Sequence, residues 1–245
     1  MRQASTRPAE RRASRRAIRV GTAAAAGVGA VALAVAGSAT GASAAPAAKG
    51  TATVNVVHGV PGLAVKICVD GAKVVDNFRY GSTIVGAALP AGNHVVKVLA
   101  AGKPCAAPAV LKQTYNLSAR TNYTLVANLN ASGTPNLKAF VNDVSRTRHG
   151  NARLTVRHTA QAPAVNVWAN GAKLISGRSF TWGSSATLGV PAGTYRAKVT
   201  LPGSAKPVIG PATVHLSAGT AYQVYAVGAP GSYGLVSIAV PVGSR

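Results

Sequence analysis

Two histidines at repeated positions are the side chains whose spacing first suggests chemistry. His58 ends the segment VNVVH and His158 ends LTVRH, each in phase with apolar residues of its segment. Either imidazole could bind a ligand or a metal at the end of a strand, or could hydrogen-bond the loop that follows. A metal site needs several converging ligands, and the remaining histidines do not cluster by spacing. We therefore expect no metal and no cofactor, and keep both histidines as candidate ligand-binding residues.

Two aromatic residues also occupy repeated positions. Tyr80 and Trp182 each precede Gly-Ser, in the segments FRYGS and FTWGS. Such rings could stack on a sugar or a base, or could pack over the edge of a sheet. Together with the two histidines, they define a candidate carbohydrate- or polyanion-binding site in each half of the chain.

Acidic residues are too few for an obvious hydrolytic site. Catalysis by paired carboxylates needs two acids roughly 5–10 Å apart. Beyond residue 44 the chain has three acids, which are Asp70, Asp76 and Asp143. Asp70 lies in a turn motif, Asp76 becomes Ser176 in the second half, and no G-x-S-x-G nucleophile motif is present. We predict a protein that is not an enzyme, while a hydrolase with a hidden Ser–His pair stays open.

Basic residues dominate the charge, with 26 Lys and Arg against four Asp and Glu in 245 residues. Four arginines lie close together in the sequence and are candidate polyanion contacts: Arg146, Arg148, Arg153 and Arg157. They could bind a phosphate-rich polymer, or they could form a solvated linker. Because no nucleic-acid-binding motif is present, the expected partner is an anionic cell-wall polymer or a polysaccharide, with no specific nucleic acid.

The first 44 residues have the order of a secretory signal peptide. Seven arginines precede an uncharged stretch at Val20–Gly37, and Ala42-Ser43-Ala44 provides a small-residue cleavage site. A retained membrane anchor is the alternative, and both the general secretory and the twin-arginine route stay open. Cleavage after Ala44 leaves 19 Lys and Arg against three acids, a net charge of +16, and no transmembrane segment. We expect a secreted or cell-wall-associated protein that is attracted to polyanions.

The rest of the chain contains an internal repeat, in which corresponding residues lie between 99 and 102 positions apart. LPAGNHVVKV at Leu89–Val98 recurs as VPAGTYRAKV at Val190–Val199, and several other segments recur in the same order. Such a period is too long for a solenoid unit and indicates two copies of a small domain. The predicted organisation is a signal peptide at 1–44, a short tail at 45–51, repeat one at 52–145, a linker at 146–151 and repeat two at 152–245.

Each repeat has the pattern of an all-β domain. Val65, Ile67 and Val69 alternate with residues of the opposite phase, as in a half-buried strand. Asp70-Gly71 and Asn170-Gly171 are typical of two-residue hairpin turns, and Pro-Ala-Gly marks a second turn in each copy. Frequent turns between short strands predict two tandem antiparallel β-sandwiches of the Ig-like, Greek-key type.

The order of these motifs resembles the domain-of-unknown-function family 4397 (DUF4397). The shared features are V-x-V-x-H, the A-V-x-V-x-x-(D/N)-G hairpin, the aromatic-Gly-Ser segment, (L/V)-P-A-G-x-(H/Y) and L-S-A-x-x-x-Y, over about residues 52–240. The resemblance implies a β-sandwich fold and an exported bacterial protein, in which such domains often occur in tandem. It implies no catalytic residue, because none is established for the family.

The two cysteines, Cys68 and Cys105, both lie in repeat one. In an exported protein, two cysteines of one small domain are expected to form a disulfide. A closed loop of this length would stabilise the fold by about 4 kcal/mol on the chain-entropy model. A reactive thiol or a metal ligand is the alternative. Trp168 stands at the place of Cys68 in repeat two, where its indole could fill the equivalent volume.

Overall fold

A computed structural model describes residues 50–242. The predicted signal peptide at 1–44 and most of the predicted tail at 45–51 lie outside the described residues. All of the described residues belong to one compact unit, Ala47–Arg245. This part of the chain folds into strands without any helix, which confirms the predicted all-β class. No helix within residues 50–242 is therefore long and apolar enough to cross a membrane.

Each repeat contributes eight strands. Those of repeat one are β1 (Thr51–His58), β2 (Val65–Val69), β3 (Ala72–Phe78), β4 (Thr83–Pro90), β5 (Gly92–Ala100), β6 (Leu111–Leu117), β7 (Asn122–Leu129) and β8 (Pro135–Asn142). Those of repeat two are β9 (Asn151–His158), β10 (Asn166–Ala169), β11 (Ala172–Ile175), β12 (Ser185–Pro191), β13 (Gly193–Thr200), β14 (Pro207–Leu216), β15 (Thr220–Val227) and β16 (Gly234–Pro241). Strands β1 and β9 each begin one residue before the predicted start of their repeat.

Four four-stranded sheets form two sandwiches. In repeat one an inner sheet, β4-β1-β7-β8, faces an outer sheet, β3-β2-β5-β6. In repeat two the inner sheet is β12-β9-β15-β16 and the outer sheet is β11-β10-β13-β14. The core of repeat one contains Val54 and Val56 from the inner sheet and Ile67, Val96 and Val98 from the outer sheet. The predicted sandwich is thus confirmed in both copies.

One pairing in each inner sheet departs from the antiparallel prediction. Strands β1 and β7 run parallel, as do β9 and β15, whereas the other pairings are antiparallel. Between β1 and β7 the chain crosses to the outer sheet twice, forming β2 and β3 and then β5 and β6, with β4 of the inner sheet between them. Such a crossover connection allows parallel alignment. Alternating hydrophobicity reports which residues share a face, but it does not report the direction of the neighbouring strand.

The predicted hairpin turns are present in both repeats. Asp70 and Gly71 have φ of 50° and 83°, and Asn170 and Gly171 have φ of 49° and 83°. Both central residues of this turn type need positive φ, which Asp, Asn and Gly tolerate better than other residues. The exchange of Asp70 for Asn170 therefore leaves the turn intact.

The outer sheets differ in how they are fastened. The predicted disulfide between Cys68 and Cys105 is present, with the two Cα atoms 5.9 Å apart. In repeat two the indole N–H of Trp168 instead donates a hydrogen bond to Thr200 Oγ1 at 3.0 Å. The amines of Lys173 and Lys198 lie 5.0 and 5.5 Å from the centre of that indole. A half-buried aromatic residue with two cations over it thus stands where repeat one has a covalent link.

The two inner sheets pack against each other through their outward faces. Val57 and Val126 of repeat one share a buried apolar cluster with Tyr225, Val227 and Ile238 of repeat two. We call this contact the repeat interface. The alternating pattern of β1 explains it, because Val56 faces the core of its own repeat and Val57 faces the neighbouring repeat. The sheets therefore stack in the order outer, inner, inner, outer.

Candidate functional site

Both candidate histidines end their strands and bond to the loop that follows. The Nε2 atom of His58 lies 3.0 Å from the Leu63 carbonyl oxygen, and the Val60 N–H donates to His58 Nδ1 at 3.4 Å. Because Nδ1 accepts a hydrogen bond, Nε2 carries the proton that Leu63 accepts. In repeat two, His158 Nε2 lies 2.9 Å from the Pro163 carbonyl oxygen. The two imidazoles therefore connect the end of a strand to its loop in the same way.

Burial favours the neutral form of both imidazoles. His58 is 1% exposed and His158 is fully buried. Burial lowers the pKa of each ring, and this effect outweighs the opposing hydrogen bonds to Leu63 and Pro163. Phe78 stacks on His58 with ring centres 5.8 Å apart, and Phe180 covers His158 at 6.0 Å. A ligand from solvent would have to displace these aromatic contacts to reach either ring.

Each candidate aromatic residue contacts the opposite repeat. The Tyr80 hydroxyl donates to the Ser232 carbonyl oxygen at 2.6 Å, and the Trp182 indole N–H donates to the Leu129 carbonyl oxygen at 2.9 Å. Burial raises the pKa of Tyr80. The amine of Lys138, in repeat one, lies 5.1 Å from the centre of the Trp182 ring. Such reciprocal contacts are those of an interface with approximate two-fold symmetry.

Backbone atoms approach closely at the same interface. The Gly228 N–H donates to the Gly59 carbonyl oxygen at 3.1 Å, and Asn128 Nδ2 donates to the Thr159 carbonyl oxygen at 3.1 Å. A Cβ atom on Gly59 would lie 2.8 Å from Val227 Cγ1, which is closer than real Cβ atoms come. Glycine at this position therefore permits the two repeats to approach.

Arg157, one of the four candidate polyanion contacts, is buried at the repeat interface. It is 3% exposed. Its Nη1 donates to Asn142 Oδ1 at 2.7 Å and to the Tyr225 hydroxyl at 2.6 Å, while Nη2 donates to the Val141 carbonyl oxygen at 3.0 Å. The guanidinium also lies 4.6 Å from the centre of the Phe140 ring. The predicted polyanion surface consequently depends on the other three arginines.

The hydrogen-bond acceptors around Arg157 are neutral groups. None of the ion pairs among the described residues includes Arg157. Burial lowers the pKa of Arg157, although contact with Tyr225 opposes this effect. A charge-assisted hydrogen bond is stronger than one between neutral groups, and the aromatic rings add cation–π attraction. The guanidinium thus joins the last strand of repeat one to the first strand of repeat two.

A layer of amide side chains surrounds this contact. Asn142 Nδ2 donates to Asn122 Oδ1 at 2.7 Å and to Thr124 Oγ1 at 2.8 Å, and Asn55 Nδ2 donates to Asn122 Oδ1 at 2.9 Å. Gln223 is fully buried, and its amide has no partner among the described residues. The sequence patterns did not predict this layer. Asn55 does share a strand phase with Val57, which was a signal that the second face of β1 is buried.

The remaining arginines lie at the connection between the repeats. Arg153 Nε is 3.1 Å from Asp143 Oδ2, and Arg153 Nη1 donates to the Ser145 carbonyl oxygen at 2.6 Å. These bonds hold residues 143–146 against the start of β9. Arg146 and Arg148 are exposed and line an open hollow of about 510 Å³. We call it the connection hollow, and its other lining residues include His149, Gly219 and Val242.

Each of the three described acids is in an ion pair. Asp70 Oδ2 is 2.6 Å from His94 Nδ1, Asp76 Oδ2 is 2.9 Å from Lys66 Nζ, and the third acid pairs with Arg153. The N–H of Gly102 and the amine of Lys66 lower the pKa of Asp76 to about 2. Within residues 50–242, no group of three or more metal-ligating side chains could hold a metal ion.

Fold and contacts together define a tandem β-sandwich protein whose two copies share a buried interface. Residues 52–168 and 159–244 match the family described as Domain of unknown function (DUF4397). The chain therefore belongs to this family, and the resemblance drawn from its motifs is confirmed. No curated protein matches the chain.

Proposed function

We propose that the chain is an exported, non-catalytic module that attaches to anionic polymers of the cell envelope through its excess positive charge. The observation that carries this proposal is the charge balance. The chain from Ala45 has a net charge of +16, and every acid among the described residues is already in an ion pair. Its 19 lysines and arginines far outnumber its three acids, and this excess of positive charge attracts polyanions.

The connection hollow supports a specific point of contact for the polymer. Arg146 and Arg148 are exposed on its wall beside His149. A guanidinium binds phosphate and carboxylate groups through a planar pair of N–H donors. Arg153 holds the adjoining backbone through Asp143 and Ser145, so the two exposed arginines stand on a fastened segment. Less ordering entropy is then lost when they bind.

The placement of the four candidate ligand-binding residues favours attachment by charge over a sugar site in each repeat. Tyr80 and Trp182 donate their polar hydrogens across the repeat interface. His58 and His158 lie beneath phenylalanine rings. A sugar that stacked on these rings would compete with contacts between the repeats and with packing inside them.

The absence of catalysis is part of the proposal. Asp76 and Asp143 are paired with Lys66 and Arg153, and Asp70 is hydrogen-bonded to His94. The hydrogen-bond donors around these acids lower the pKa of all three. A general acid near neutral pH needs a raised pKa instead. Incubation of the protein with a cell-wall digest should therefore release no product, and any turnover that a single substitution abolishes would contradict this part.

The first experiment is co-sedimentation of the chain from Ala45, which contains the whole compact unit, with purified cell walls over a salt series. We expect the protein to pellet at low salt and to be released by about 0.5 M salt, where screening leaves an interaction range of only a few ångströms. If the protein never pellets, the envelope proposal is wrong. Retention at high salt would indicate a shaped site in place of charge attraction.

Two double variants locate the contact. Arg146→Gln/Arg148→Gln removes two charges from the connection hollow, while Arg79→Gln/Arg178→Gln removes two exposed charges elsewhere. If the hollow binds the polymer, the first variant should be released at clearly lower salt than the second. If both variants are released at the same salt concentration, the protein is held by its net charge and the connection hollow is not the binding site. Export is tested separately, by whether the protein recovered from the wall fraction begins at Ala45.

A further inference from the structure

Repeat two encloses an apolar cavity between its two sheets. In repeat one, side chains nearly fill the corresponding space. The cavity of repeat two has a volume of about 250 Å³, against about 50 Å³ at the corresponding place in repeat one. Its walls come from both sheets and include Leu154, Val156, Val167, Phe180, Val199 and Leu216. The two sandwiches share one topology, so the difference must come from their side chains.

The largest of these differences is the loss of one aromatic ring. In repeat one, Tyr115 on β6 of the outer sheet donates its hydroxyl to the Leu137 carbonyl oxygen on β8 of the inner sheet, at 2.8 Å. The ring therefore spans the space between the two sheets. The alignment of YNLSA with VHLSA places Val214 at the same position in repeat two. Val214 lines the cavity, and it is too short to reach the opposite sheet.

Three further positions are also smaller in repeat two. The residues of repeat one are 3% exposed at each of them, whereas their counterparts are only half-buried. From repeat one to repeat two, the residue changes are Ile67 to Val167, Val96 to Ala197, and Leu125 to Val224. Half-burial of residues that face the core means that molecules from solvent can reach the cavity.

We propose that repeat two binds a small uncharged hydrophobic molecule between its sheets, in the volume that Tyr115 occupies in repeat one. A dry apolar cavity of about 150 Å³ binds benzene in another protein. A volume of about 250 Å³ therefore suits a bicyclic aromatic compound or a hydrocarbon chain of similar size. An unfilled cavity destabilises a domain in proportion to its volume, so a ligand that fills it stabilises the fold.

The polar atoms at the edge of the cavity favour an uncharged ligand. The Tyr195 hydroxyl donates to the Pro191 carbonyl oxygen at 2.7 Å. The Lys198 amine lies 5.5 Å from the centre of the Trp168 ring. These polar groups of the lining are engaged elsewhere, and the remaining walls are hydrocarbon. A charged ligand would lose its hydration without gaining a partner.

The test uses the neutral bicyclic fluorophore 1-aminonaphthalene, which matches the size of the cavity, with the chain from Ala45. We expect saturable binding of one probe molecule per chain, with increased, blue-shifted fluorescence and a melting temperature that rises with probe concentration. Because the probe is uncharged, its binding should not change over the salt range that releases the protein from cell walls. This salt independence separates the cavity from the proposed attachment by charge.

Val214→Tyr restores the ring of repeat one and should weaken probe binding at least tenfold. Thr213→Tyr adds the same side chain at the neighbouring, exposed position of β14 and should leave binding unchanged. Ala197→Val introduces the residue that repeat one already has at this place, so it should weaken binding without disturbing the fold. No saturable binding to the unmodified protein, or full binding to both Val214→Tyr and Ala197→Val, would overturn the proposal.

Discussion

The two repeats share a topology but stabilise it by different means. Repeat one links its outer sheet through Cys68 and Cys105 and spans its core with Tyr115. Repeat two has no disulfide, and it places Trp168 and Val214 at the positions of Cys68 and Tyr115. Its hairpin strands β10 and β11 have four residues each, whereas β2 and β3 have five and seven. One sandwich is therefore closed and cross-linked, and the other retains internal space.

The difference shows that a β-sandwich tolerates an open core when other contacts support it. Repeat two packs its inner sheet against repeat one, and Tyr225 and Val227 are fully buried there. Burial of apolar area contributes roughly 25 cal/mol per Å², so the repeat interface can offset part of the cost of the cavity. The closed repeat thereby acts as a support for the open one.

The largest expected effect comes from opening the disulfide. Cys68→Ala/Cys105→Ala should lower the free energy of unfolding by about 4 kcal/mol, because the unfolded chain regains the entropy of a long loop. Urea denaturation measures this change, and hydrogen exchange of the β5 amides shows whether it lies in repeat one. A reductant should destabilise the unmodified protein and leave this variant unchanged. A loss below about 1 kcal/mol would show that the cross-link constrains little of the unfolded state.

Tyr115→Val should convert the core of repeat one toward that of repeat two. We expect a loss of about 3 kcal/mol in the free energy of unfolding, from the cavity that the ring leaves and from the missing hydrogen bond to Leu137. Tyr115→Phe keeps the ring and should cost about 1 kcal/mol. Tyr115→Val should also create a second binding site for 1-aminonaphthalene. Unchanged probe stoichiometry would mean that the smaller core collapses around the substitution.

The reciprocal contacts of the repeat interface should give smaller effects. Tyr80→Phe removes the hydrogen bond to Ser232 and should cost about 1 kcal/mol. Trp182→Phe removes the bond to Leu129 and some packing, and should cost about 1–2 kcal/mol. Both are measured by urea denaturation of single and double variants. Both residues stabilise the same interface. If either substitution already lets the repeats separate, the double variant should lose less free energy of unfolding than the sum of the two single losses. Strict additivity would argue against a shared opening event.

The smallest effect is a decline in stability with rising pH that only repeat one should have. Burial opposes protonation of His94, but hydrogen bonds to the Pro90 carbonyl oxygen and to Asp70 outweigh it and raise the pKa of His94. A raised pKa stabilises the fold fully below the unfolded value near 6.5, and this contribution disappears as the pH rises through the folded value. In repeat two, Asn170 and Tyr195 stand at the positions of Asp70 and His94. The Tyr195 hydroxyl keeps the bond to the equivalent carbonyl oxygen, that of Pro191, but has no carboxylate partner at position 170.

Urea midpoints between pH 5 and pH 9 test this difference. The stability of the unmodified protein should decline above neutral pH by less than about 1 kcal/mol, since the Asp70 carboxylate is half-exposed. His94→Tyr introduces the residue of repeat two and should remove the decline. Tyr195→His/Asn170→Asp should add a second decline of similar size. A profile that His94→Tyr leaves unaltered would assign the pH dependence to another group.

Local patterns predicted the elements correctly because they express local physics. Asp70-Gly71 and Asn170-Gly171 indicated hairpins, since their backbone angles suit few other residues. Alternation at Val65, Ile67 and Val69 indicated a strand, and β2 forms there. The expectation of one buried face was wrong, because Lys66 and Cys68 on the other face are buried as well. Cys68 and Cys105 indicated a disulfide from their number and context, and the structure confirms it.

Roles that depend on distant partners could not be read in this way. Arg157 follows a strand pattern that would serve equally well at a solvated surface, yet the side chain lies between the repeats. Tyr80 and Trp182 recur at matched positions, which shows a common role but not the surface that they contact. The parallel pairing of β1 with β7 is also absent from the pattern, because the side chains of a strand alternate identically in either direction.

The sequence by itself determined the doubled architecture, the turns, the disulfide and the excess of positive charge. These properties follow from periodicity, turn chemistry and composition, which are carried by residues near one another in the chain. Only the tertiary structure decided that the two inner sheets meet, that Arg157 is buried between them, and that Val214 leaves space where Tyr115 fills it. Those outcomes depend on packing between strands far apart in sequence, where one side chain changes the volume that others must fill.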